Sequence, residues 1–238
     1  MPLPEQFCWT RFGTEAGQLI EEILKRKEEE RVANGGIFLW GIGNALGPSM
    51  RELLRRTRSP QVLFSPMKSV ARAEDVAPPA VVAWTSAKTL TGDLYPLPNC
   101  SLVASRHDPV APRSAHYALV CFSDRPLGSP RRKDKIALTG LSNLLTGRPV
   151  GASQTTAIVQ RKALGMREDS AYEVTIRAKL VYPYFLTLRD PILLSKRKIP
   201  FQWDVSSRIP WQGRDPGRSV RRYDSHFRSR DGDRLPNS

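Results

Sequence analysis

Apolar and polar positions alternate along this chain in two periods, and the switches between them mark out its elements. Leu19, Ile20, Ile23 and Leu24 fall on one face of a helix predicted to run from an N-cap at Thr14 to about Ala33, with Asn34-Gly35-Gly36 ending it. Glu21, Glu22, Lys25, Arg26, Glu28, Glu29 and Glu30 read as its solvated face, paired at i,i+4. Phe7, Trp9 and Phe12 before it read as packing residues. The unbroken apolar run Ile37 to Trp40 suits a buried strand, and Pro48 to Arg56 suits a helix, because Pro fits a first turn. Further strands are predicted at Gln61 to Phe64, Ala80 to Trp84, Leu102 to Ser105 and His116 to Phe122. Ile136, Leu138, Leu141, Leu144 and Leu145 suit a short helix. After a turn at 146–151, Ser153 is positioned to cap a second one running to about Ala163, a helix-turn-helix in outline only. Tyr172, Val174, Ile176, Ala178 and Leu180 then alternate with Glu173, Thr175, Arg177 and Lys179, a half-buried strand with a basic outer row that Pro183 ends or bends.

The connectors at 87–99 and 106–115 carry Gly and Pro but no helical period. Strands joined without helices are antiparallel neighbours, since a parallel crossover needs a dozen or more residues and usually a helix. The expected fold class is therefore α+β: a curled, mostly antiparallel sheet or small barrel with flanking helices. Residues 1–194 are read as one domain. Residues 195–238, rich in Arg, Asp, Ser, Pro and Gly, are read as a basic extension, flexible after about Trp211 until it meets a partner.

Charge narrows the choice of partner. The 238 residues carry 37 Lys and Arg against 23 Asp and Glu, a formal net charge of +14, with most of the excess after Pro130. A localised positive charge attracts polyanions at long range, and nucleic acid is the first candidate, DNA before RNA. No apolar run reaches the ~18 residues that a membrane span needs, and no signal-peptide pattern opens the chain, so a cytoplasmic protein without a membrane partner is expected. Cys8, Cys100 and Cys121 are far apart and form no zinc pattern with His107, His116 and His226. Neither a metal nor a cofactor is expected, and Cys100 and Cys121 read as buried thiols.

Candidate chemistry concentrates in the stretch Gly36 to Arg56. Gly41, Gly43 and Gly47 loosen the backbone between strand and helix, and Asn44 offers two donors and an acceptor. Arg51, Arg55, Arg56 and Arg58 then place guanidinium groups where a nucleic-acid backbone would meet them. Arg106, the basic loop Arg131-Arg132-Lys133, and Ser153 and Thr155 at the expected helix N-terminus are further backbone contacts. If strands 37–40, 61–64 and 80–84 are neighbours, Trp40, Gly43, Asn44, Ser65, Lys68 and Trp84 gather into a base-binding site: aromatic rings stack on a splayed base, and Asn and Ser read its edge. The alternatives stay open that Asn44 caps the helix and that Trp40 and Trp84 are core residues.

The order helix, strand with Trp40, loop with Asn44, arginine-bearing helix, then Val-Leu-Phe-Ser at 62–65 resembles the beginning of the PUA-like superfamily over roughly residues 14–122. Its YTH and EVE members flip a modified base into an aromatic pocket, which implies base flipping here. A weaker similarity is to prokaryotic anti-phage DNA glycosylases that excise glucosylated hydroxymethylcytosine. It rests on the basic chain, the base pocket and the want of a nuclease motif. It implies a hydrolase that cleaves the N-glycosidic bond of a modified base and leaves an abasic site. Such chemistry needs a carboxylate or amine at the sugar. Asp93 and Asp108 are the loop carboxylates, Lys68 the amine, and Asn44 the group to hold water. Asp93 and Asp108 read first as turn residues, given the preference of Asp for turns. A non-catalytic reader of a modified base and an RNA-associated structural protein are the rival expectations.

Overall fold

A computed structural model of the chain describes residues 3–13, 19–67, 81–96, 117–127, 134–162 and 171–195. Among them two helices lie against a mixed nine-stranded sheet, an α+β arrangement. The first strand, β1 (Gln6–Phe12), holds the aromatics that precede the helix. Helix α1 (Ile20–Ala33) begins where Glu22 accepts the Leu19 N–H at 2.8 Å. Leu19 has no side-chain acceptor, so only this half of a capping box forms. The expected cap, Thr14, lies outside the described residues. β2 (Ile37–Ile42), α2 (Gly47–Arg56) and β3 (Gln61–Pro66) follow, close to their expected positions. β4 (Val81–Lys88), β5 (Leu94–Pro96) and β6 (Tyr117–Phe122) come next.

Beyond β6 the helical reading fails. Ile136 to Leu145 form β7 (Asp134–Ala137), one 3₁₀ turn and β8 (Leu141–Asn143), and the segment begun by Ser153 becomes β9 (Thr156–Arg161). Thr155, Thr156, Ile158 and Val159 are β-branched and pack better on a pleated surface than in a helix. β10 (Ala171–Val174) and β11 (Ile176–Ser195) complete the set.

The strands run β2-β6-β11-β3-β1-β9-β8, with the β4–β5 hairpin attached to β11 and a separate pair formed by β7 and β10. β1 and β3 are parallel, joined by a crossover that contains both helices, and the other pairings are antiparallel. β2, β3 and β4 are therefore not neighbours, contrary to the expectation on which the base-binding site was assembled. Nor does the sheet close into a barrel: β2 and β8 stand at its two ends. The outer edge of β2 is taken by α1, whose Glu30 carboxylate accepts the Leu39 N–H at 2.8 Å and blocks further strand pairing there. Glu30 also pairs with Lys27 at 2.6 Å, and both side chains are almost wholly buried. Arg26 and Glu30, expected on the solvated face, are thus buried, as is Lys27.

β2 is buried on both faces. Phe38 and Trp40 join the core beneath α1 and α2, with Phe12, Met50, Leu53, Phe64 and Leu119, while Ile37 and Leu39 join a second core with Val120, Leu186 and Leu188. A third core holds Phe7, Trp9, Leu63 and Tyr172. Across the first core the sheet bends round far enough for Trp40 on β2 to meet Phe12 on β1, centroids 5.8 Å apart. The chain enters β2 through Gly36 at φ +103°, where a Cβ would stand 2.6 Å from the Phe122 ring, so glycine is required there.

β11 changes phase part-way. Leu180 pairs with Cys121 and Phe185 with Leu119, leaving an odd number of extra residues in β11. The bulge inverts the alternation. Ala178 and Leu180 before it face the first core, as does Phe185 after it, while Leu186 and Leu188 turn to the second. Pro183 therefore bends the strand without ending it. Tyr184 sits in the bulge at φ +63°, a left-handed conformation that costs a bulky side chain on the order of 1–2 kcal/mol.

Candidate nucleic-acid interface

The loop after β2 and the helix that follows were singled out from sequence, and their surroundings define the site. Gly43 is exposed and Asn44 half-buried. The Asn44 Nδ2 donates to the Thr156 carbonyl at 3.1 Å, linking the loop to β9. Asn44 is not the cap of α2: that position is Leu46, which has no side-chain acceptor. Positive φ occurs at Gly35 and Gly36 before β2, not at Gly41, Gly43 or Gly47.

Helix α2 buries Met50 and Leu53 and turns its arginines outward. Arg51 Nη2 donates to the Leu90 carbonyl at 2.6 Å, docking the turn between β4 and β5 against the helix. That turn closes through Thr89 N–H to Asp93 O at 3.0 Å, and Thr91 Oγ1 donates to the exposed Asp93 carboxylate at 2.6 Å. Arg55 and Arg56 both donate to Glu52, whose carboxyl they hold down to about 2, the hydrogen bond from Arg55 contributing most. Glu52 therefore cancels part of the positive field of the helix.

The remaining base-site residues are not brought together. Trp40 is 7% exposed and meets Phe64 and Phe12 edge to face, with its centroid 4.8 Å from that of Phe64. Removing a tryptophan from such a core costs about 3–5 kcal/mol, more than the ~1–3 kcal/mol that stacking on a base returns, so Trp40 stays a core residue. Ser65 is fully buried and accepts the Trp9 Nε1–H at 3.1 Å. It follows Phe64, so it faces the opposite side of β3 from the Trp40 core. Trp84 packs with Ile37 and Leu39 in the second core. Both indoles thus follow the core alternative.

Ser153 and Thr155 lie in the loop before β9, not at a helix N-terminus. Arg11, which the sequence reading did not single out, organises that loop. Its guanidinium donates to the Ala152 and Gln154 carbonyls, both at 2.6 Å, and to the Tyr172 hydroxyl at 3.2 Å, and it lies 5.4 Å from the Trp9 and Tyr172 ring centroids. Its only sequence signal was a lone cation in an aromatic run, which charge counting passes over. Cys8 and Cys121 are buried free thiols, and burial pushes both well above the ordinary thiol range. Lys68, Asp108, Arg106, Arg131, Arg132, Lys133, His107, Cys100, the strand at 102–105 and the extension after Ser195 lie outside the described residues.

The structure thus holds the arginine-bearing helix α2 against the turn bearing Asp93 through Arg51, ties Asn44 to β9, and leaves Trp40, Ser65 and Trp84 in the interior. Beside this group the Tyr117 ring stacks on Phe185, centroids 5.5 Å apart and planes 21° apart. Such an arrangement can attract a polyanion and offer it polar groups and one partly exposed aromatic ring. Among the described residues no helix is long and apolar enough to cross a membrane. Comparison with known protein families, with characterised proteins and with solved structures finds no match for this chain.

Proposed function

We propose that the protein binds nucleic acid where the β2–α2 loop, α2 and the 89–93 turn meet, and recognises a base there through Asn44. The observation that carries this reading is the Arg51 bond to the Leu90 carbonyl, which joins the arginine-bearing helix to a turn holding polar side chains. The chain's net charge of +14 supports a polyanionic partner. With Trp40 and Trp84 in the core, recognition relies on the edge of the base rather than an aromatic cage, and this first reading is that of a non-catalytic reader of a modified base.

A second reading, cleavage of the N-glycosidic bond of a modified base in phage DNA, is favoured by the exposed Asp93 carboxylate in the docked turn. In that reaction a water oxygen bonds to the sugar C1′ and its proton passes to Asp93, while the C1′–N bond breaks and the base leaves with its electron pair to take up a proton. Incubating the full chain with phage DNA carrying modified cytosine and with unmodified DNA, followed by mild alkali, separates the two. Free base and strand breaks confined to modified DNA would support the glycosylase. Tighter binding to modified DNA that stays intact would support the reader. Equal, weak binding to both would sink base recognition.

A further inference from the structure

Strand register places a row of side chains across five strands beside the candidate interface. Ile42 on β2 pairs with Tyr117 on β6, Tyr117 with Thr187 on β11, Thr187 with Lys88 on β4, and Lys88 with Leu94 on β5. Directly paired residues point to the same side of a sheet at about 4.5–5.5 Å, so this is one continuous strip. Its face is that of the first core, because Ile42 is buried there and Phe185, two residues before Thr187, packs in it. Beyond Ile42 the strip opens to solvent: Tyr117 and Thr187 are half-buried, Lys88 is exposed and Leu94 is 75% exposed. Arg189, paired with Ser86 in the adjacent row, is also exposed. At one end Arg51 holds the turn that links β4 to β5 against α2.

We infer that this strip is a platform for single-stranded nucleic acid, with Tyr117 stacking on a base and Lys88 and Arg189 meeting the phosphates. The inference rests on the nucleic-acid reading above and extends it from a loop to a sheet face and from nucleic acid at large to single strands. An aromatic ring seated on a second ring is held rigid and loses little freedom when a base stacks on it. Lys88 and Arg189 beside it lie on strands, at fixed spacing, and complement a polyanion in charge. A duplex hides its base faces and would meet only those cations.

Fluorescence anisotropy of the full chain with labelled single-stranded DNA, single-stranded RNA and duplex DNA of equal length, each at several salt concentrations, tests this. Single strands should bind more tightly than duplex. Tyr117→Leu should weaken single-strand binding roughly ten-fold or more while Tyr117→Phe, which keeps the ring, retains it. Lys88→Glu with Arg189→Glu should flatten the salt dependence, and the equally charge-reversing Lys25→Glu on exposed α1 should do so far less. If the wild-type chain binds nucleic acid but prefers duplex, or if Tyr117→Leu and the double charge reversal bind single strands like wild type, the platform is refuted and the broader reading stands. Failure to bind any of the three would overturn both. Preference between DNA and RNA, with the variant effects present, would support the platform and identify the source.

Discussion

Asn44 and Thr156 are joined side chain to main chain at 3.1 Å although their strands are far apart in the sheet, β2 at its edge and β9 beyond β1. The bond crosses the open side of a sheet that bends round its core without closing. Asn44→Ala removes one hydrogen bond from a half-buried site and should cost about 1 kcal/mol of stability, read from the urea midpoint. Asn44→Asp, which sets a carboxylate against the Thr156 carbonyl, should cost more. If Asn44 also reads a base, Asn44→Ala should erase discrimination between modified and plain DNA at a salt where non-specific binding persists. An unchanged midpoint would show that the clasp carries no weight.

Glu52 is the counterweight to the arginines of α2. Because Arg55 and Arg56 hold its carboxyl near 2, no pH in the working range neutralises it, and only substitution can. Glu52→Gln should leave the fold unchanged, tighten binding to DNA of any sequence, and steepen the dependence of affinity on salt. Equal salt slopes for the two proteins would mean that these arginines do not meet the phosphates.

Much of the site's scaffold was legible in sequence, and its contacts were not. The run Ile37 to Trp40 and the Pro48 start of α2 are local signals, and both elements are where they were expected. The pocket failed because it depended on which strands are neighbours. Nothing in the Val62-Leu63-Phe64 run states that β3 lies between β1 and β11 while β2 pairs with β6. Leu138, Leu141, Leu144 and Leu145 repeat near a helical period, yet that stretch lies in a 3₁₀ turn, a short strand and a turn whose ladder with β9 is a non-local fact. The alternation from Tyr172 to Leu180 reads as one face of one strand, but the chain divides it between two: Tyr172 and Val174 on β10 pack in one core and Ile176, Ala178 and Leu180 on β11 in another, with Thr175 bonding the Phe64 carbonyl between them.

Glu28 makes stability depend on acid in a stated window. Its carboxyl lies below the usual range chiefly through the hydrogen bond from Arg31, with the Leu127 N–H and the Arg31 charge adding and burial opposing. A carboxylate depressed in the folded state contributes its full share above its unfolded value, about 4.3, and loses it as pH falls through the lower folded value. Stability of the wild type should therefore drop more steeply below pH ~4.3 than that of Glu28→Gln. Hydrogen exchange should show 123–127 opening early, since Glu28 and Arg31 both bond to it. Parallel pH profiles for the two proteins would remove Glu28 from the account.

Glu30 has the most to lose from substitution. It pairs with Lys27 inside the protein and takes the Leu39 N–H at the sheet edge, so Glu30→Ala removes the carboxylate from a buried ion pair and uncovers a strand donor. Breaking one side of a buried pair costs on the order of 3–5 kcal/mol. Replacing both partners, Lys27→Met with Glu30→Leu, removes the charges together and should recover most of that loss, although the Leu39 N–H stays unmet. The two variants therefore separate electrostatics from edge protection. Denaturation midpoints should recover in the double variant. Light scattering should show self-association in both, because an open β2 edge invites another strand. A double variant as unstable as Glu30→Ala would show that the bond to Leu39, not the ion pair with Lys27, holds α1 to the sheet.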